Sequence, residues 1–486
     1  MSAELSRRRA LQIAGLGAAA AVAGGVGTWR DLIAPASEGL VGRGGDSLRE
    51  PRVLRSSNGS LQVRLRAATG ATVAGRRTQA LSYDGTVPGP TLHVRPGDQL
   101  EVALVNDLGA ATNLHTHGLH VSPEGRSDNI FRTVAAGATA RYVYDIPNDH
   151  PSGTFWYHPH LHGSVANQVF GGLYGALVVA GADEPEVDRE RVLVVSDTTL
   201  AGDGRVADVS GPQVMAGREG GLVLVNGQLM PRIDLAAGTL ERWRVVNACA
   251  SRFLRLALDG QTFGFLGYDG QALGAPREEE TVLLAPGNRA DLLVRPNGTG
   301  DAKLRTHAVD RGGMGMMSGG PAGTSQAVEL ATVRIAGPVV ASPRKSPATV
   351  FPERRDLRGT SVDRRRTLSF TMGMGMGMSF GFDGREFDAS RTDQRLRLGT
   401  VEEWVIGNDT PLDHPFHLHV WPMQVLEAPG TDPTGPPDWR DVVIVPARGR
   451  VRVRIPITDF GGRTVYHCHI LDHEDRGMMG VAEASR

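Results

Sequence analysis

Cysteine is nearly missing: the 486 residues include only Cys249 and Cys468. A framework of several disulfides is excluded, and if Cys468 binds a metal, no disulfide within the chain can form. Cys249, in Trp-Arg-Val-Val-Asn-Ala-Cys, reads as a small apolar core residue. Lysine occurs only at positions 303 and 345, so almost all basic charge is arginine, a bias without functional content. The charges nearly cancel, leaving a formal net charge of −1. General attraction to nucleic acid or to anionic lipid is therefore not expected. Aromatics are sparse at 5%. Beyond the N-terminal segment no apolar run is long enough to span a bilayer.

What is abundant is Gly (63) and Pro (29), which favours short strands and many turns. The length argues for two to four domains, and 40% apolar with 22% charged residues is a globular composition. At the start, Ser6-Arg7-Arg8-Arg9-Ala10-Leu11 precedes an Ala/Gly-rich apolar stretch, and Ala34-Pro35-Ala36 offers a small-residue cleavage site. This resembles a bacterial twin-arginine signal over 1–36, which implies the Tat export machinery as a partner and a periplasmic, cell-envelope or extracellular location. The mature protein is expected to have no membrane span.

Three phrases recur at spacings of about 140 and 160 residues: Gly97-Asp-Gln-Leu-Glu-Val-Ala-Leu-Val-Asn, Gly238-Thr-Leu-Glu-Arg-Trp-Arg-Val-Val-Asn and Gly399-Thr-Val-Glu-Glu-Trp-Val-Ile-Gly-Asn. Each is a glycine, a polar residue and a strand ending at Asn. They predict three copies of one β-sandwich unit.

The chemistry lies in His467-Cys468-His469-Ile-Leu-Asp-His473-Glu-Asp-Arg-Gly-Met478. On a strand, His467 and His469 point one way and Cys468 the other. A Cys with His and a weak thioether is the ligand set of a blue-copper centre once a second His is found. Three more pairs share the i, i+2 spacing: His115/His117, His158/His160 and His417/His419. Eight neutral imidazoles converging from four strands suit several copper ions better than a single zinc. Two pairs fall in the first unit and two in the third, so the cluster is expected where those units meet. The middle unit is expected to act mainly as a spacer.

The segments His115-Thr-His-Gly118, Trp156-Tyr-His-Pro-His160, His414-Pro-Phe-His-Leu-His419 and His467 to Met478 closely resemble the four copper motifs of three-domain multicopper oxidases. The resemblance implies an all-β fold of three consecutive cupredoxin-like Greek-key β-sandwich domains, over 47–182, 191–335 and 367–486, with a linker over 337–366. It implies four copper ions. His414, Cys468, His473 and axial Met478 look like the type 1 site, and His115 and His417 like the type 2 ligands. The type 3 pair falls to His117, His158 and His469 on one ion and His160, His419 and His467 on the other. It also implies O2 as acceptor and, as proton donors, Glu474 and Asp128. His93, His120, His150, His162 and His307 are read as structural or outer residues.

The donor is suggested by Met372-Gly-Met374-Gly-Met376-Gly-Met378, with Met314-Gly-Met316-Met317 as a second cluster. Thioethers are soft ligands that favour Cu(I), and such clusters resemble those of bacterial copper-efflux oxidases. Cu(I), or Fe(II), is the expected donor. In those relatives an Asp and a Met before the type 1 His bind substrate. Here the approach is Asp409-Thr-Pro-Leu-Asp413-His414, with two acids and no Met. A laccase acting on phenols and aromatic amines therefore stays open beside the cuprous oxidase. A non-catalytic copper-binding electron-transfer protein leaves the paired histidines unexplained, and a metal-free relative of the fold is opposed by the complete ligand set.

Overall fold

The structure, a computed structural model, describes residues 45–181, 184–313, 323–337, 354–373 and 379–486. The three recurring phrases form the strands Gln99–Asp107, Glu241–Asn247 and Thr400–Asn408. Each holds the same position: it pairs in parallel with an early strand of its unit and antiparallel with a later one. The terminal asparagine explains why the phrase repeats. Asn106, Asn247 and Asn408 are buried, and each side-chain amide donates to at least two backbone carbonyls across the turn. Each Oδ1 accepts the N–H two residues on, from Leu108, Cys249 and Thr410. An Asx turn thus ends each strand and satisfies backbone groups that a buried loop would otherwise orphan.

The fold is all-β. In the first unit a four-stranded sheet (Arg76–Tyr83, Ser60–Val73, Gln99–Asp107, Thr139–Asp145) packs on a five-stranded sheet that ends in Gly153–His158 and His115–His117. Ser60–Val73 alternates: Leu61, Val63, Leu65 and Ala67 face inward while the residues between them are exposed, as for a sheet with one wet face. The second and third units each pack a six-stranded on a five-stranded sheet. Every unit has its own apolar core. A further cluster joins the first and second units and takes in a residue of the third, Leu471.

Only short helices are described: α1 (Val165–Gly171), α2 (Gly211–Ala216) and α3 (Leu471–Glu474), one from each unit. No described helix is long and apolar enough to cross a membrane. The segment 1–36 lies outside the described residues.

Candidate metal centre

All eight paired histidines are buried, with at most 2% exposure. Strand His115–His117 runs antiparallel to Gly153–His158, placing His115 opposite His158. Strand His414–Leu418 runs antiparallel to Gly462–Cys468, placing His417 opposite His467. The two strand pairs face each other across the junction of the first and third units. His115 stacks on His419 with ring centroids 4.1 Å apart, and His117 on His417 at 3.9 Å.

Alternation on strands accounts fully for only one pair, His115 and His117. His160, His419 and His469 each lie just beyond a strand end. Pro159 lacks the N–H that would extend the ladder, and His160 is placed instead by donating its N–H to Asn113 Oδ1 at 2.5 Å. Backbone bonds from His419 to Val465 O and from His469 to Pro415 O, at 3.2 and 2.8 Å, place the other two.

Hydrogen bonds to carbonyls identify which ring nitrogens carry protons, because a carbonyl only accepts. His158, His417 and His467 each donate Nδ1–H, to Pro159 O, Asp441 O and Cys468 O at 2.8 to 3.0 Å. Their Nε2 atoms are left as bare lone pairs. His467 Nε2 lies 3.1 Å from both His160 Nε2 and His419 Nε2. Burial holds these imidazoles neutral, His160 and His467 down to about 4 and the other six well below the usual histidine range. His115 Nε2, His158 Nε2, His417 Nε2 and both nitrogens of His469 have no hydrogen-bond partner. Each of these neutral rings keeps one unprotonated nitrogen; orphaned and crowded in a buried site, such nitrogens are costly alone and suited to soft or borderline metal ions.

The second cluster lies on the other side of the Cys468 backbone. α3 turns the chain so that His473 returns beside the thiol. His414 Nδ1 is 3.3 Å from Cys468 Sγ, His473 Nδ1 is 3.9 Å from it, and the two Nδ1 atoms are 3.4 Å apart. Both are bare. His473 Nε2–H donates to Met215 O at 3.1 Å. Thr410 Oγ1, already donating to Leu412 O, accepts from His414 Nε2 at 2.7 Å. Burial pushes the Cys468 thiol up, so a thiolate there needs a cation beside it. Met478 is fully buried, and its backbone bonds Cys468 and His473 at 3.0 Å each.

The two acids are at the first cluster. Asp128 Oδ2 is 2.9 Å from His115 Nδ1, and its Oδ1 accepts the Thr116 N–H at 2.8 Å. Glu474 Oε2 is 3.1 Å from His467 Nδ1 and Oε1 is 3.5 Å from His160 Nδ1. Burial raises both carboxyls to about 7.

The structure corrects the reading of the middle unit as mainly a spacer. Its Arg289, fully buried, donates Nη1–H and Nη2–H to Asp441 at 2.7 and 2.6 Å. Asp441 Oδ1 in turn lies 3.2 Å from His117 Nε2, and its carbonyl holds His417. Gly287 of the same unit lies over His469, where a Cβ would stand 2.8 Å from Cδ2. Met215, which holds His473, also belongs to it. Arg289, Asp441, Met215 and Thr410 were absent from the sequence-based site. The one available signal was a charged residue at the head of a buried apolar strand, as in Arg289-Ala-Asp-Leu-Leu-Val and Asp441-Val-Val-Ile-Val.

Of the donor residues, Asp409 Oδ2 accepts the Ser369 hydroxyl at 2.7 Å and Asp413 Oδ1 accepts the Ala447 N–H at 2.8 Å. Met372 packs against the core of the third unit. Met374, Met376, Met378, Met314, Met316 and Met317 lie outside the described residues. His120 and His150 bond each other rather than a ligand cluster, His120 N–H donating to His150 Nε2 at 3.0 Å.

Three profiles described as multicopper oxidase match residues 66–184, 177–305 and 360–485. The multicopper oxidase Mco of Staphylococcus aureus is 26% identical over 463 residues, covering 91% of this chain and 94% of that protein. A laccase of Bacillus subtilis is 24% identical, covering 83% and 89%. The solved multicopper oxidase of Campylobacter jejuni, described as a metallo-oxidase, superposes with a TM-score of 0.79 at 29% identity, over 91% and 96% of the two chains. Copper is the cofactor of that family, and the bare nitrogens and buried thiol fit it. With its profiles matched in order from the first sandwich to the third, the chain belongs to the multicopper oxidases.

Proposed function

We propose that this multicopper oxidase couples one-electron oxidation of Cu(I), and of Fe(II) as a lesser donor, to four-electron reduction of O2 to water, in the service of copper tolerance. The ligands are those implied by the motifs: His414, Cys468, His473 and Met478 for type 1, His115 and His417 for type 2. His117, His158 and His469 hold one type 3 ion, and His160, His419 and His467 the other. The close approach of His160, His419 and His467 and of His414, Cys468 and His473 supports two of these sets.

Bound copper supplies the one-electron acceptor at the thiolate site and the multi-electron reduction of O2 at the histidine cluster. The chain links the two, because Cys468 shares peptide bonds with His467 and His469. Burial keeps the ligands of both clusters out of contact with bulk solvent. Glu474 holds a proton near neutral pH beside His467 and His160, and both its oxygens are otherwise unpartnered. Asp128 does the same at His115.

The observation carrying the choice of Cu(I) is where the methionine segments attach. Phe370 stacks on His414 and Phe380 on His473, with centroids 5.0 and 4.8 Å apart. These rings lie on the paired strands Arg364–Gly373 and Ser379–Phe382, which put Met372 opposite Phe380 and flank Met374 to Met378 in sequence. The second cluster, Met314 to Met317, follows Gly312 in sequence, and Gly312 bridges to Leu412, two residues before His414. The described residues that flank both soft-ligand segments in sequence therefore lie near the type 1 histidines. A laccase reading is favoured by a different observation: Asp409 and Asp413 are already engaged by Ser369 and Ala447, and no Met lies in the stretch from Asp409 to Asp413.

Oxygen consumption with Cu(I), Fe(II) and a phenol separates them, in wild type and in a variant with Met372, Met374, Met376 and Met378 changed to Leu. Cu(I) turnover is expected to fall sharply while phenol turnover holds; an equal response of all donors would remove the methionine argument. Residues 1–36 we assign as a twin-arginine-type signal for export to the periplasm, cell envelope or exterior. Changing Arg7, Arg8 and Arg9 to Lys should retain the protein in the cytoplasm, and unimpaired export would refute the assignment.

A further inference from the structure

The cover of the thiolate cluster comes from the middle unit and is fastened to the third. α2 ends at Gly217, whose φ of 79° suits glycine. A Cβ there would stand 2.7 Å from Ile470 Cγ2 and 2.8 Å from Ser251 Cβ, so the backbone is pressed flat onto Ile470. Ile470 in turn directs its N–H at Cys468 Sγ, 3.4 Å away. Two residues earlier, Met215 O accepts the His473 Nε2–H.

The next residue, Arg218, is buried and fully employed. Its backbone N–H and Nε–H donate to Asp472 Oδ2 at 2.9 and 3.0 Å, and Nη2–H to Oδ1 at 2.6 Å. Nη1–H reaches Asn167 Oδ1 on α1 at 2.7 Å, and the guanidinium lies over the Phe170 ring at 5.5 Å. Asp472 is the residue before His473. Residues 211–220 thus form a strap over the cluster, and its far side is fastened too. Glu219 pairs with Arg252 and Arg311 at 3.0 and 3.3 Å, and Gly220 N–H donates to Asp197 Oδ2 at 2.7 Å. A planar fork on a carboxylate fixes orientation as well as distance, which a lysine cannot do.

We propose that Arg218 is a positioning residue for the type 1 site: by clamping Asp472 it holds the His473 turn in register with the Met215 carbonyl, so that the ring presents Nδ1 beside Cys468 in one orientation. The inference rests on the type 1 assignment above. Glue between sandwiches, the plainer role for a buried ion pair, would leave the copper spectrum unmoved.

Arg218→Met, Arg218→Lys and Asp472→Asn are compared with wild type, copper-loaded, by the energy and intensity of the thiolate-to-copper absorption, type 1 and type 2 EPR, and type 1 reduction potential. Competition with a Cu(I) chelator gives the affinity. Hydrogen exchange of residues 211–220 is followed in copper-free protein. Arg218→Met should shift the absorption and type 1 EPR, weaken type 1 copper binding about tenfold, and leave the type 2 signal in place. Exchange in the strap should quicken without copper. Lys should rescue only part of the spectrum. Asp472→Asn should reproduce the shift, and Arg218→Lys, which keeps the charge beside Asp472, serves if Arg218→Met does not fold. A blue wild type whose variants keep its spectrum, potential and affinity overturns this inference alone, whereas a wild type without the blue band overturns the type 1 assignment and this inference with it.

Discussion

Asp441→Asn is the sharpest probe of how the middle unit supports the histidine cluster. In wild type the Asp441 carboxylate faces Arg289 through two hydrogen bonds of 2.7 and 2.6 Å, with both residues buried. An amide keeps one acceptor and turns an N–H toward the guanidinium. Arg289 cannot shed its charge, and Asp269, 3.5 Å away and already accepting from Asn288, Arg289, Asp441 and Val442, is its only other carboxylate contact among the described residues. Removing one member of a buried pair costs about 3–5 kcal/mol. At about 2–4 °C per kcal/mol for a unit of this size, calorimetry of copper-free protein should show a fall of about 6–20 °C. Arg289→Met in the same molecule removes the stranded charge, so the double variant should be more stable than Asp441→Asn alone, with a coupling of about 2 kcal/mol. An Asp441→Asn variant within about 0.5 kcal/mol of wild type, or a double variant that is simply additive, would refute the reasoning.

Two further expectations concern single residues around the cluster. Glu474→Gln keeps the shape but not the proton: reoxidation of reduced enzyme by O2 should slow by about 10²–10⁴-fold, while anaerobic reduction by the donor stays at the wild-type rate in stopped-flow absorption. Gly287→Ala places a methyl 2.8 Å from the His469 ring in a backbone with φ 87°. It should cost about 1–3 kcal/mol in thermal unfolding and lower the copper content of purified protein.

Much of this was legible because ligation restricts residue type and spacing. Every histidine of the two clusters could be named from its motif, and the repeating Gly-to-Asn phrases marked equivalent strands. Strand alternation explains only part of the convergence, since His160, His419 and His469 leave the strands and are aimed by loop hydrogen bonds. What stayed hidden was contact across units. Arg289 and Asp441 are 152 residues apart in sequence, and Arg218 and Asp472 are 254 apart. No local pattern links such pairs, and each residue alone reads as ordinary strand or loop charge. The support of a dry, polar site is therefore a property of the tertiary fold, although the site's ligands are written in short motifs.

The most direct measurement is the copper content of fully loaded wild type and Cys468→Ser, with absorption and EPR spectra of both. If the proposed ligand sets are right, wild type should hold about four coppers per chain and show an intense blue band, and the variant should hold one copper fewer with no blue band, the type 2 EPR signal persisting. About one copper per wild-type chain, or a Cys468→Ser protein that is still intensely blue, would contradict it.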